Sequence, residues 1–124
     1  MKYAITALFV IHGLIHVMGF AGAFRLEEFQ GASRTPTNFV TADSGSPTLK
    51  VLGVVWIVAL FAFLLAATLL LMDNPGWRPT AVAAVFVSMV PIALWWQSAP
   101  MGAVANALVL AAVLVAPKLD GVAA

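Results

Sequence analysis

The sequence predicts an all-α protein, an integral membrane bundle of four helices in one domain, and three observations carry that expectation. Of the 124 residues, 63% are hydrophobic and only 9% charged, a balance outside the range of water-soluble domains. The mean hydropathy is +1.04. The six basic and five acidic residues are confined to four short zones: Lys2, Arg25 to Lys50, Asp73 to Arg78, and Lys118 to Asp120. Backbone groups in hydrocarbon must bond within their own segment, so the uncharged stretches between these zones are expected to be helices.

The first uncharged stretch suits one crossing, with a helix near 3–24, because roughly 20 apolar residues span about 30 Å of hydrocarbon. Lys2 followed by an apolar run ending in Ala21-Gly22-Ala23 imitates a secretory signal. Two histidines inside the run, and its length, favour a retained span. Residues 25–49 form the one sizeable extramembrane loop, rich in Thr, Ser, Gly and Asn and punctuated by Pro36 and Pro47. The second helix is expected near 50–72. The stretch from Pro79 to Pro117 is too long for one crossing, and it breaks at Gln97-Ser98-Ala99-Pro100-Met101-Gly102, where polar residues, proline and glycine coincide. The third and fourth helices are therefore expected near 79–97 and 101–117.

Tyr3, Trp77, Trp95 and Trp96 fall at the expected membrane boundaries, where amphipathic rings are favoured, and Trp56 lies deeper. Four spans place both termini on one side. Lys and Arg are nearly balanced across the membrane, and the acidic residues of the first loop tip the expectation towards cytoplasmic termini. Gly13, Gly19 and Ala23 give the first helix a small-residue face for close packing. Pro91 interrupts the backbone bonding of the third helix and should make room beside Trp95 and Trp96.

Composition excludes several kinds of chemistry. With no cysteine there are no disulfides, thiolate metal sites or cysteine nucleophiles, and a net charge of +1 offers no basic field for nucleic acid. No Ser/His/Asp arrangement, glycine-rich phosphate loop or pair of intramembrane carboxylates points to an enzyme.

The residues best placed to carry chemistry are His12 and His16. Four apart on a helix, they project from one face, and they are the only titratable side chains deep in an apolar stretch. Hydrocarbon favours the neutral ring, which is a competent metal ligand. The competing reading is structural: hydrogen bonds across helices to Asn106, Ser88, Thr68 or backbone carbonyls. As a metal site the pair supplies two ligands where zinc takes four, or three and a water. Further ligands would come from Glu27, Glu28 or Asp43, or from the thioethers of Met18, Met89 and Met101 towards copper(I). Neighbours on one helix face cannot fill both axial positions of one haem, so a bis-histidine haem needs ligands from opposing helices. Asn106, at a depth comparable with His16, could complete a polar pocket.

Two segments resemble signatures of a known family. His12-Gly-Leu-Ile-His16-Val-Met-Gly19-Phe20, and Trp96-Gln97-Ser98-Ala99-Pro100-Met101-Gly102-Ala103-Val104-Ala105-Asn106, look like the HGLIHxxGF and WxDAKFGTxAN segments of small bacterial four-helix membrane proteins, with a fainter likeness to DoxX-like architecture. The likeness covers nearly the whole chain. It departs at Ser98 and Pro100, where relatives tend to carry Asp and Lys, so an ionic pair at that turn is lost. The resemblance implies a multi-pass four-helix bundle in the bacterial inner membrane and no particular reaction. It singles out His12, His16, Gly102 and Asn106 as candidate site residues. The expected role is that of an accessory or packing subunit of a membrane assembly, and the expected partners are the lipid bilayer and either further copies of the chain or a larger membrane complex. Metal or haem binding at His12 and His16 is the alternative, and a small transporter or proton-linked permease component the second.

Overall fold

The computed structural model of the chain describes residues 1–24, 47–96 and 99–120, which form four helices and no strand. They are α1 (Lys2–Ala23), α2 (Pro47–Leu71), α3 (Trp77–Leu94) and α4 (Pro100–Asp120). Three of them are long and apolar enough to cross a membrane: α1, the Leu49–Leu71 part of α2, and α3. In α4 the apolar stretch Pro100–Ala116 is shorter.

The helix ends differ from the sequence expectation by a few residues; α4 runs over Pro100–Asp120 rather than 101–117 and continues past Pro117. α2 starts at Pro47 rather than at 50, because a first-turn residue needs no N–H partner and proline is already set to a helical φ. α3 starts at Trp77, with Gly76 as N-cap and Pro79 inside the first turn, and ends at Leu94 rather than 97. Trp95 leaves the helix at φ −103° and ψ 29°. The loop readings at 25–46, including Glu27, Glu28, Phe29, Phe39 and Asp43, and those at Gln97 and Ser98, lie outside the described residues.

α2 ends in a left-handed turn. Asp73 has φ 55°, and its N–H donates to Leu70 O (3.1 Å) while that of Asn74 donates to Leu69 O (2.9 Å). This is the Schellman pairing that satisfies the last carbonyls of a helix. Lys2, at the start of α1, reaches Asp73 at 2.6 Å. The beginning of α1 therefore lies beside the end of α2, and the two helices run antiparallel. α1 packs against α2 and α4, and α3 packs against the same two helices, so α1 and α3 face each other across the bundle.

The inner layer is built from Phe9, Phe63, Leu70, Trp77, Ala81, Ala84 and Val109. Phe9 stands between Phe63 and Trp77, with ring centroids 6.5 and 6.0 Å away. Trp77 is fully buried, so it is a core residue and not the boundary anchor that its position suggested. Trp95 is also buried, 6.3 Å from Trp56, whereas Tyr3 and Trp96 are exposed. At Gly19 the faces of α1 and α2 meet closely: a Cβ there would lie 2.4 Å from the Trp56 ring. The small-residue face of α1 thus receives the largest side chain of α2.

Candidate functional site

α1 delivers His12 and His16 to the bundle interior, where both are almost wholly buried, at 2% and 1% exposure. Their rings meet edge to face with centroids 4.8 Å apart. Aromatic walls from α2 enclose them: Phe63 is 4.7 Å from His12, and Trp56 is 5.1 Å from His16. Ser88 of α3 and Asn106 of α4 complete the group, also buried. The four side chains are the buried polar residues among those described.

Their contacts have one consistent direction. His16 Nδ1 lies 2.7 Å from the carbonyl oxygen of His12; a carbonyl only accepts, so Nδ1 carries the proton. In the neutral ring Nε2 then accepts, and Ser88 Oγ–H donates to it across 2.8 Å. With its proton so engaged, Ser88 Oγ accepts from Asn106 Nδ2 at 3.1 Å. Asn106 Oδ1 is left to accept from His12 Nε2–H at 2.7 Å. Turning the amide over would require His16 to donate from both ring nitrogens, placing an imidazolium in an apolar core at a high desolvation cost. Each histidine thus has an assigned tautomer, Nε2–H for His12 and Nδ1–H for His16.

One atom is left over. His12 Nδ1, the unprotonated nitrogen, is buried with no hydrogen-bond partner, and so is the indole Nε1 of Trp56. Both residues line a cavity of about 180 Å³ that lies over the polar chain, among α1, α2, the end of α3 and the start of α4. Its walls include His16, Gly19, Ile92 and Trp95. Ile15, Met18 and Met101 also line it and are exposed on the outside of the bundle. The cavity therefore opens sideways between α1 and α4.

The candidate residues of the sequence come together in part. Asn106 sits between the two rings, bonded to His12 directly and to His16 through Ser88. Gly102 is not in the polar chain; it lines the cavity, and a Cβ there would come within 2.8 Å of Ile92 Cδ1. Thr68 bonds back to Leu64 O of its own helix and is exposed, so it does not serve the histidines. Met18 and Met101 line the cavity, whereas Met89 packs against the main core. Among the described residues, no three of His, Cys, Asp and Glu are grouped as a metal would require. A metal held by both rings would have to displace Ser88 or the His12 carbonyl from His16. Pro91 had pointed to room beside Trp95, which lines the cavity; Trp56 as another of its walls had no signal in the sequence beyond the depth of the tryptophan.

No family model, curated protein or solved structure matches the chain.

Proposed function

We propose that the protein is a four-span membrane protein acting as an accessory or packing subunit of a membrane assembly. The observation that supports this best is the closed polar chain His12–Asn106–Ser88–His16, whose hydrogen bonds run from one helix to another. Polar side chains in a bundle core that bond each other across helices act as interhelical ties, each worth about 0.6 kcal/mol on average and up to about 1.7 kcal/mol. Here the ties join α1 to α4, α4 to α3, and α3 back to α1 across the bundle.

Outside that chain the helices present apolar side chains such as Phe61, Phe86 and Leu114, each more than half exposed. Large apolar side chains left outward on several helices are ones that lipid or protein would cover. On the family resemblance, the membrane is the bacterial plasma membrane, with α4 as the fourth span. A proton-linked permease fits less well, because the link between the two rings runs through the Asn106 amide, which has no labile proton to hand on at neutral pH. Metal or haem binding by both rings would require His16 to give up one of its present partners, Ser88 or the His12 carbonyl.

The test is mild solubilisation of the tagged protein from its native membrane, followed by separation under native conditions. Comigration with a membrane partner at fixed stoichiometry is the expected outcome. A discrete homo-oligomer carrying no partner would contradict the accessory role.

A further inference from the structure

We propose that the lateral cavity between α1 and α4 is a seat for the acyl chain of one bilayer lipid, which completes the packing at the start of α4. The proposal rests on the four-span membrane reading, and three observations carry it.

The first is the chemistry of the wall. His12 Nε2 and both ring nitrogens of His16 are engaged in hydrogen bonds, while His12 Nδ1 and the Trp56 indole nitrogen are closed off from the surface. These side chains therefore turn ring carbon towards the cavity, and Ile92 adds an aliphatic side. An apolar cavity of roughly 150 Å³ stays dry and takes up apolar molecules, and this one measures about 180 Å³. Hydrocarbon suits it, and a polar ligand does not.

The second is the position of the mouth. Ile15 and Met18 of α1 and Met101 of α4 border the cavity and are also exposed on the outside of the bundle. With α1 and α4 spanning the membrane, that outside is the acyl region, so the tails of neighbouring lipids stand at the opening. Methionine side chains at such a rim adapt to a flexible chain.

The third is a gap in the packing of α4. No residue from 100 to 105 is buried, although Asn106, the next in line, is enclosed in the polar chain. Of the helix pairs that touch, α1 and α4 touch least, and Gly19 and Gly102 leave both helices bare of side chains beside the cavity. Protein interiors leave few voids larger than a water molecule. A lipid tail lying in this one supplies the neighbour that the start of α4 lacks and covers the histidine pair from the membrane side.

The experiment reconstitutes the full chain carrying Trp96→Phe into phosphatidylcholine bilayers in which a rising share of the lipid has brominated acyl chains, whose bromines quench a neighbouring indole. That substitution removes the half-exposed tryptophan and leaves Trp56, Trp77 and Trp95, all buried. We expect quenching in direct proportion to the brominated share, as one seat filled by one lipid gives, and its loss in Ala99→Leu, which fills the cavity from the α4 side. A steeply curved response is that of several surface lipids and would overturn the proposal, as would quenching unchanged in an Ala99→Leu chain that gel filtration and tryptophan emission show to be folded. The shape of the response is read on the Trp96→Phe chain alone and does not depend on the second variant. Phe86→Trp, added at an outward-facing position in the middle of α3, reports embedding in the bilayer. If it is quenched and the buried tryptophans are not, the cavity holds something other than a lipid tail, and the proposal fails with the membrane reading intact. If neither is quenched, the chain does not lie in the bilayer, and both fail.

Discussion

His16 spends both ring nitrogens on partners from different places, the carbonyl one turn back and Ser88 across the bundle. Removing Ser88 Oγ leaves Nε2 without a donor, and removing the ring leaves the hydroxyl with Asn106 alone. A double-mutant cycle of His16→Ala and Ser88→Ala, followed by unfolding in mixed micelles, should give a coupling of about 0.6–1.7 kcal/mol. Additive effects would mean that the two side chains do not interact. At this scale the sequence was informative about the participants. The spacing of His12 and His16 puts both rings on one face, and Asn106 and Ser88 stand out as polar residues in otherwise apolar helices. It was silent about direction: which nitrogen donates depends on partners brought in by other helices, and one amide orientation decides the whole chain.

Helix boundaries were legible to within a few residues, because charge zones and prolines mark them. The rotation of each helix about its own axis was not. All four are hydrophobic on every side, so no apolar stripe separates the buried face from the outer one. Hence Trp77, read from its position as a boundary anchor, proves to be wholly buried against Phe9. Small residues did point to the closest contact, where Trp56 lies over Gly19. Gly19→Ala should destabilise the bundle by about 1–3 kcal/mol, the usual cost of overpacking. Combining it with Trp56→Leu should recover part of that loss, whereas a strictly additive double variant would place the clash elsewhere. The turn after α2 offers a second comparison. Asp73 sits at φ 55°, where a Cβ is disfavoured by about 1 kcal/mol or more. Both Asp73→Gly and Asp73→Ala lose the contact to Lys2, but Gly relieves the backbone, so it should be the more stable of the pair by about 1 kcal/mol. Equal stabilities would contradict the left-handed turn.

For the whole molecule, the antiparallel order follows from two features at opposite ends. Lys2 meets Asp73 at one end, and the cavity joins α1, α3 and α4 near the other. A chain free of cysteine allows single reporters to be introduced without background. If the bundle spans a membrane as proposed, Asn74→Cys and Pro100→Cys should react with an impermeant maleimide from opposite sides of sealed vesicles. Labelling of both from one side would contradict the crossing of α3. The composition was sufficient to indicate an apolar bundle, and Pro91 to indicate room beside Trp95, while the full lining of the cavity depends on how four helices converge.

The most direct test of the polar chain is the ring nitrogen chemistry of the two histidines in lipid bilayers, read by solid-state NMR of the protein labelled with ¹⁵N at histidine and assigned with single His→Gln variants. The hydrogen-bond directions predict one proton per ring, on Nε2 of His12 and on Nδ1 of His16. Two rings of the same tautomer, or a doubly protonated ring, would contradict the chain, and with it the reading of the histidines as ties between helices.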